Sequence, residues 1–256
     1  MADYKYIHFD CHDGRADLTF NRPPKNLLNV EMLEEILDAL DQVRDDESLK
    51  ILVLRGVGGT FCGGIETTEL MADQVGLLMP LYTRMFDYLN SVHGLTLGEI
   101  KGDVLGGGCE IAGFCDVVIA ADNARFGFPE ITMGLFPPIA TAVLPRLIGR
   151  SRTLDWIISG DIISSERALQ FGLVARIVSE DKLNEEVERY ADRVASLSAP
   201  AVTLAKRAVD SALYVPVMEA KRTTESTYML DLMSSIDPHE GLKAIQEDRP
   251  PIWKNR

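Results

Sequence analysis

Residues 104 to 112 read Val-Leu-Gly-Gly-Gly-Cys-Glu-Ile-Ala, and this stretch is the starting point for interpreting the remaining motifs of the chain. Three consecutive glycines allow a backbone to approach a ligand more closely than any side chain would permit. The apolar residues after Glu110 predict a helix, whose first turn presents unpaired N–H groups and a partial positive charge. Such a helix start binds anions. The alternative is a tight turn in which Glu110 only complements the helix dipole.

Two further segments accompany this stretch, namely Phe61-Cys62-Gly63-Gly64-Ile65-Glu66 and Phe126-Gly127-Phe128-Pro129-Glu130-Ile131. In this order the three segments resemble the crotonase (enoyl-CoA hydratase/isomerase) superfamily, whose motifs read roughly F-C-A-G-x-D, G-x-x-x-G-G-G-x-E and F-G-x-P-E-x-x-x-G. The resemblance extends from Tyr6 to Lys254. Supporting matches are Asn21-Arg22-Pro23-Pro24, Ile158-Ser159-Gly160, the residues from Ala168 to Val174, and Glu247-x-Arg249.

The resemblance implies an α/β crotonase fold, in which repeated ββα units form a spiral core. Strand, helix and strand alternate in the first part of the sequence, as an α/β architecture requires. From Glu180 onward the pattern is helical only. We therefore expect a core over residues 1–199 and a C-terminal helical segment over residues 200–256. In the resembled family that segment assembles trimers, often paired into hexamers.

Alternating or short apolar runs predict the strands, and apolar residues at helical spacing predict the helices. The predicted strands are Tyr4–Asp10, Arg15–Asn21, Lys50–Leu54, Leu95–Ile100, Asp116–Ala120 and Leu173–Val178. The predicted helices are one capped by Asn29, Thr67–Val92 with a break near Asp73-Gln74, Thr141–Ile148, one starting at Ser164–Arg167, Leu183–Leu197, Ala201–Leu213, Val217–Met233 and Glu240–Gln246.

One predicted strand departs from the family pattern because it carries a charge. Glu99 lies inside Leu95–Ile100, where the family has an apolar strand. A charge at such a position is costly unless it is paired or reaches water. The sequence offers no partner for it.

Length, composition and charge limit the classes of function. The 256 residues fit one large domain, or one domain with a small appendage, and 46% are hydrophobic. The formal net charge of −13 opposes binding to nucleic acid or anionic membrane. No apolar run reaches the ~18 residues that span a bilayer, and the N-terminus lacks a signal-peptide pattern. A soluble, cytoplasmic protein is expected.

The cysteines and histidines give no sign of a metal or redox centre. Cys11, Cys62, Cys109 and Cys115 include no C-x-x-C pair, and His8, His12, His93 and His239 are scattered. Buried free thiols are the default interpretation. We therefore expect no metal and no tightly bound cofactor, with coenzyme A entering only as part of a substrate.

The resemblance implies the chemistry of the site. In the family, backbone N–H groups at the positions of Ile65 and Gly107 hold a thioester carbonyl oxygen. Glu110 and Glu130 occupy the two positions that handle protons. Resembled isomerases often keep a single carboxylate, so the pair favours addition of water to an α,β-unsaturated acyl-CoA. In this hypothesis Glu130 delivers the proton.

Substrate contacts are carried over from the same motifs. Lys25, Asn26 and Leu27 correspond to the loop that borders the nucleotide of CoA. The other expected contacts are Gly63, Gly64, Gly106, Gly108, Pro137 and Pro138. Thr68 stands where several relatives have a lysine, and Asp248 replaces another family lysine. Both departures affect the expected nucleotide contacts.

The acyl pocket departs from the usual family sequence P-G-A-G-G-T-Q-R-L. Residues 136–144 read Phe-Pro-Pro-Ile-Ala-Thr-Ala-Val-Leu, which is stiffer and more apolar. This version resembles hydratases of cyclic dienoyl-CoA thioesters from anaerobic aromatic degradation. A linear enoyl-CoA hydratase is the alternative. A non-catalytic scaffold, or an RNA-binding relative, is disfavoured because both glutamates are kept and Lys182, Arg189 and Arg193 are interleaved with acids.

Overall fold

Nine strands form two sheets in the computed structural model, which describes residues 4–256. In chain order they are β1 (Ile7–His12), β2 (Arg15–Phe20), β3 (Ile51–Gly56), β4 (Leu95–Ile100), β5 (Asp103–Leu105), β6 (Val117–Ala121), β7 (Arg125–Gly127), β8 (Ile162–Ser164) and β9 (Arg176–Val178). The main sheet has the order β1-β2-β3-β4-β6-β9, and only its β1–β2 pair is antiparallel. The second sheet has the order β5-β7-β8.

Helices cover the sheets and make up the C-terminal part. They are α1 (Val30–Asp41), α2 (Val75–Ser91), α3 (Gly107–Phe114), α4 (Pro138–Leu147), α5 (Arg150–Ser159), α6 (Ser165–Phe171), α7 (Glu180–Ala195), α8 (Ala199–Ala212), α9 (Val217–Ser226) and α10 (Asp237–Gln246). Short 3₁₀ turns span Thr67–Leu70 and Pro129–Met133, and a π-helical segment spans Thr227–Leu232. The mixed α/β class is confirmed.

The central strand β3 is buried on both faces, as its continuous apolar run predicts. Leu52 and Leu54 belong to the large core with α1 and α2, whereas Ile51 and Val53 pack in a second core against α7. The caps also follow the sequence. Asn29 Oδ1 accepts the N–H of Met32 at 3.0 Å at the start of α1.

Several predicted boundaries need correction. The break near residue 73 is confirmed, with a 3₁₀ turn before it and α2 after it. Helix α4 begins at Pro138 rather than Thr141, because proline lacks only an N–H that the first helical position leaves unpaired. The predicted strand from Leu173 shortens to β9, and the predicted helix Val217–Met233 is α-helical to Ser226 and π-helical from Thr227 to Leu232. Helix α5 and the three strands of the small sheet are not predicted by the sequence patterns.

Glu99 on β4 forms an ion pair with Arg55 on the neighbouring strand β3. Its carboxylate Oε2 lies 3.3 Å from Arg55 Nε, a distance that makes an ion pair but without hydrogen-bond geometry. Arg55 Nη2 also contacts Asp17 at 3.0 Å and Glu188 of α7 at 2.9 Å. Burial raises the pKa of Glu99, and the charge of Arg55 opposes that effect. The charge that departs from the family pattern therefore joins an ionic cluster beneath α7.

The C-terminal helices continue directly from the sheet-covering α7. Helix α8 begins at Ala199, whose N–H donates to Asn255 Oδ1 at 3.1 Å, so the chain end returns to this point. The division into two segments at residue 199 stays a prediction. Within residues 4–256, no helix has the length and apolar character needed to cross a membrane.

Candidate active site

A cavity of about 550 Å³ is lined by residues from all three sequence segments. Glu110 and Glu130 both border it, together with Ile65 from the second segment. Apolar side chains from the 3₁₀ turn after Glu66, from α2 and from the loop before α4 form much of the wall; they include Leu70, Val75, Met79, Met133, Leu135 and Phe136. Glu110, Glu130 and Ile65, which the sequence predicts as site residues, therefore lie around one cavity.

Two isolated β-bridges join the loop that carries Ile65 to neighbouring segments, one of them directly before Gly107. Leu28 pairs with Ile65, and Cys62 pairs with Val104, both in parallel register. A Cβ built on Gly64 would lie 3.8 Å from the amide nitrogen of Gly107, so the two loops meet at this point. Within residues 4–256, neither the N–H of Ile65 nor that of Gly107 has a protein acceptor. Each of the two adjoining loops therefore carries an N–H donor that no described protein acceptor engages.

Two glycines at the start of α3 are needed for close packing of the site. Gly106 has φ +50°, and a Cβ there would overlap Glu130 Oε1. A Cβ on Gly107 would lie 3.0 Å from the hydroxyl oxygen of Tyr82 and 3.2 Å from Ile65 Cγ1. Side chains at either position would displace the groups that surround the cavity.

Glu110 is 3% exposed and both of its carboxylate oxygens accept hydrogen bonds. Oε1 accepts the backbone N–H of Ala140 at 2.7 Å, and Oε2 accepts the hydroxyl of Tyr82. Burial raises the pKa of Glu110 to about 7, although both donors oppose the rise. The group can therefore change protonation state near neutral pH.

Glu130 lies on the 3₁₀ turn after β7 and reaches the other side of Gly106. Burial raises its pKa too. Its Oε2 atom is buried, and no hydrogen-bond partner for it lies within residues 4–256. Unlike Glu110, it therefore has one carboxylate oxygen that no described protein donor engages.

Sequence reasoning missed two groups that hold Glu110. Tyr82 occupies a position of α2 that reads as part of an apolar stripe with Leu78, Met85 and Leu89. Ala140 contributes only its backbone N–H, which no side-chain pattern reveals. The F-P-P sequence was the one available signal, because Pro138 starts α4 and thereby aims the N–H of Ala140 at Glu110.

The expected substrate contacts divide into two groups. Most of them border the cavity: Lys25, Leu27, Gly63, Gly64, Gly106, Pro137 and Pro138. Asn26 and Gly108 do not border it. The buried amide of Asn26 donates to backbone oxygens of Val57, Thr60 and Phe61 and thus fixes a loop, and a Cβ on Gly108 would overlap the carbonyl oxygen of Cys62. Their contact with substrate stays a prediction.

The two family departures lie away from the carboxylates. Thr68 is exposed on the 3₁₀ turn, and Asp248 is exposed near the chain end with φ +50°. Neither borders the cavity. All four cysteines are free, and residues 4–256 contain no cluster of three or more His, Cys, Asp or Glu arranged to hold a metal.

Known proteins are similar to this chain in both sequence and fold. The family model of enoyl-CoA hydratase/isomerase matches residues 11–256. The chain is similar to a 2,3-dehydroadipyl-CoA hydratase of Escherichia coli, with 32% identity over 93% of this chain and 94% of the relative. It is also similar to a crotonyl-CoA hydratase of Syntrophomonas wolfei, with 32% identity over 96% of both chains.

A solved structure gives the same answer for the fold. The crystal structure of an enoyl-CoA hydratase from Bacillus anthracis superimposes with a TM-score of 0.91 at 29% identity, covering 98% of this chain and 100% of the other. Together with the family match over residues 11–256, these similarities span nearly the whole sequence. The chain therefore belongs to the enoyl-CoA hydratase/isomerase family, the crotonase superfamily, as an acyl-CoA hydratase.

Proposed function

We propose that this protein adds water across the double bond of an α,β-unsaturated acyl-CoA thioester, using Glu110 and Glu130. The observations that carry the proposal are two carboxyls and Ile65 on the wall of one cavity, and the N–H groups of Ile65 and Gly107, which have no protein acceptor within residues 4–256. The N–H groups suit a thioester carbonyl that gains negative charge. The carboxyls suit a water molecule that loses one proton and a carbon that gains another.

The backbone donors of Ile65 and Gly107 would stabilise the enolate oxygen. Addition of water at the β-carbon pushes the double-bond electrons toward the thioester carbonyl, so charge develops on that oxygen. Gly107 is the first residue of α3, whose dipole also favours negative charge there. Donors of this kind typically contribute about 2.7–4 kcal/mol each to the transition state.

The different surroundings of the two carboxyls support a division of labour. Two donors stabilise the ionised form of Glu110, which suits a base that takes a proton from water. Glu130 has a buried oxygen without a protein partner, which suits an acid that delivers its proton to the substrate carbon. The product is a hydroxyacyl-CoA, and the two glutamates have exchanged protonation states.

For the acyl group, we favour a compact cyclic dienoyl-CoA. The support is the apolar wall at the start of α4, where Pro137 and Pro138 fix two backbone φ angles. Phe136 and Leu135 continue this wall at the cavity. A planar ring suits a stiff wall better than a long flexible chain does. In such a reaction, water adds at the ring carbon β to the thioester and the proton arrives at the far end of the diene.

A linear enoyl-CoA is the second candidate, favoured by the names of two relatives. Crotonyl-CoA hydratase and 2,3-dehydroadipyl-CoA hydratase both act, by name, on linear acyl groups. Apolar pockets discriminate by only about 1–3 kcal/mol per methylene. Shape complementarity around the ring is therefore the main basis for a preference between the two classes.

Parallel assays decide between the two substrate classes. Purified protein is incubated with cyclohexa-1,5-diene-1-carbonyl-CoA and with crotonyl-CoA, and hydration is followed by mass. We expect a far higher kcat/KM for the ring and poor turnover of long linear enoyl-CoA. If linear substrates are hydrated at least as well, the linear assignment replaces the cyclic one. If neither class gains water, the proposed hydration is wrong.

Lys25 is proposed to meet a phosphate of CoA. It is exposed and borders the cavity. Its carbonyl oxygen accepts the N–H of Gly63 at 2.8 Å, which connects its loop to the loop that carries Ile65. A Lys25→Met variant should bind free CoA more weakly, with a smaller loss at high salt because screening already weakens the wild-type contact. Calorimetric titration at two salt concentrations measures both effects.

The C-terminal helices are proposed to assemble a homotrimer or a dimer of trimers. Val217, Tyr228 and Ile236 expose apolar side chains there, at 81%, 55% and 45% of their full area. Large apolar side chains exposed to this degree are typical of an interface when they form one patch. Light scattering at micromolar concentration is expected to give a mass of at least three chains. A stable 28.3 kDa species would contradict assembly.

A further inference from the structure

We propose that Tyr82 is a positioning residue that sets the orientation and the protonation of Glu110. This inference rests on the proposed function, because it takes Glu110 as the base that activates water. Tyr82 is 28 residues distant in sequence and is fully buried on α2. Its hydroxyl donates to Glu110 Oε2, and its ring borders the cavity.

The ring of Tyr82 is held in place by aromatic packing. Phe86, one turn later on α2, meets it edge-on with ring centroids 5.1 Å apart. Phe86 in turn meets Phe114 of α3 at 5.1 Å. Because α3 also carries Glu110, the same aromatic contacts fix the donor and the helix that bears the acceptor. The phenol therefore reaches Glu110 from a rigid base.

The hydroxyl itself needs an explanation beyond packing. Leu78, Met85 and Leu89 fill the same face of α2 with apolar groups, and phenylalanine would fill the position of Tyr82 equally well. A buried hydroxyl costs free energy unless it is hydrogen-bonded. Here it is bonded to a carboxylate on the cavity wall, and glycine at position 107 leaves the space that the hydroxyl oxygen occupies.

The bond has two chemical consequences for Glu110. With Tyr82 on Oε2 and the N–H of Ala140 on Oε1, both oxygens are fixed, so the remaining lone pairs point in set directions. The donated hydrogen bond also opposes the rise in the pKa of Glu110 that burial causes. Burial raises the pKa of Tyr82 well above its usual range, so the phenol stays a neutral donor.

Tyr82→Phe tests the role with little change in shape. With crotonyl-CoA or the cyclic dienoyl-CoA, whichever the wild type hydrates, we expect kcat at neutral pH to fall about 10-fold or more while KM stays nearly constant. The acidic limb of the kcat/KM profile should move upward by about one pH unit, since loss of the donor raises the pKa of the base. In a Glu110→Gln background the same change should add little.

Tyr88→Phe is the matched control. Tyr88 lies on α2, is partly exposed and packs under Arg44 at 4.8 Å, outside the cavity. It should keep the wild-type pH profile. Equal kcat and an unmoved acidic limb in Tyr82→Phe would overturn the proposal, as would a uniform loss of kcat with no change in the profile.

A spectroscopic titration separates this proposal from the proposed function. The infrared carboxyl band lost in Glu110→Gln identifies Glu110 in the wild type, and its titration is then followed in Tyr82→Phe. An upward-shifted titration supports the coupling even if neither acyl-CoA is hydrated, in which case the hydratase proposal alone fails. An unchanged titration rejects the role of Tyr82 even if hydration is rapid.

Discussion

Glu99 and Glu110 are carboxylates at almost equal depth, 4% and 3% exposed, in environments of opposite character. Glu99 on β4 faces the cation of Arg55 within the ionic cluster beneath α7. Glu110 on α3 accepts hydrogen bonds from neutral donors, the phenol of Tyr82 and the backbone N–H of Ala140, and it borders a cavity. Burial raises the pKa of both groups.

The difference shows that depth alone does not prepare a carboxyl for proton transfer. Arg55 holds Glu99 in place by charge, so a change of protonation there disrupts an ion pair. Glu110 has no cation to lose, and its pKa of about 7 allows either state at neutral pH. Access from the cavity then separates a carboxyl that can exchange protons with substrate from one that stabilises the sheet.

Removal of either cavity carboxyl should give the largest effect. Glu110→Gln and Glu130→Gln are each expected to lose about 10²–10⁴-fold in kcat while still binding a CoA thioester, because general acid–base catalysis is lost and the oxyanion donors remain. Steady-state kinetics and calorimetric binding measure the two properties separately.

Glu99→Gln is the control for that pair, since it removes an equally buried carboxylate outside the cavity. Its kcat should stay within about 3-fold of wild type, as for a site that touches no reacting group. Near-normal turnover in Glu110→Gln or Glu130→Gln, with the true substrate, would remove that residue from the mechanism.

The reverse pattern is expected for stability at the ionic cluster. Arg55→Met leaves Glu99 buried without its cation, which should cost about 3 kcal/mol in the free energy of unfolding. The double variant Arg55→Met with Glu99→Leu should recover much of that loss because no charge stays buried alone. Chemical denaturation measures both. An additive loss in the double variant would show that the pair is not the source of the effect.

The sequence allowed prediction of the two glutamates that border the cavity because each lies within a short local motif. Glycines 106–108 precede Glu110 on the same helix start, and Pro129 precedes Glu130 on the same turn. The fold class followed from strand and helix periodicity and from the family resemblance. The approach of the loops follows from two single-residue bridges, which no periodicity reveals.

The missed features depend on contacts between distant segments. Arg55 and Glu99 become neighbours only through the parallel register of β3 and β4, in which Leu54 lies beside Gly98. In sequence, Tyr82 occupies an ordinary core position of α2. Its hydroxyl reaches Glu110 only because α2 packs on α3. The family resemblance predicts Asn26 and Gly108 as substrate contacts, and it does not reveal that backbone oxygens of neighbouring loops lie against both positions.

A smaller effect on stability should distinguish Glu110 from Glu99. The folded-state pKa of Glu110 lies above its unfolded value, so wild-type stability falls as pH rises from about 4.5 to 7. Glu110→Gln avoids this cost and should be more stable than wild type by about 2 kcal/mol above neutral pH, with little gain near pH 4.5. Thermal unfolding at both pH values checks the sign. A variant that is less stable at alkaline pH would contradict it.

The last prediction needs no substitution and concerns the wild-type pH profile of kcat/KM, which reports the pKa values of the free enzyme. If Glu110 acts as base, activity should be half-maximal on the acidic side at about pH 7 and fall about 10-fold per pH unit below it. Glu99→Gln should leave this limb in place. A limb that stays flat well below neutral pH would exclude Glu110 as the titrating base.

The central claim is that the cavity carboxyls add water to an acyl-CoA double bond, and heavy-oxygen water tests it most directly. Wild type and Glu110→Gln are incubated in labelled water with the cyclic dienoyl-CoA and with crotonyl-CoA, and the products are weighed by mass spectrometry. We predict a wild-type product heavier by one labelled water and almost none from Glu110→Gln. A product of unchanged mass, or equal labelling by both proteins, would contradict the claim.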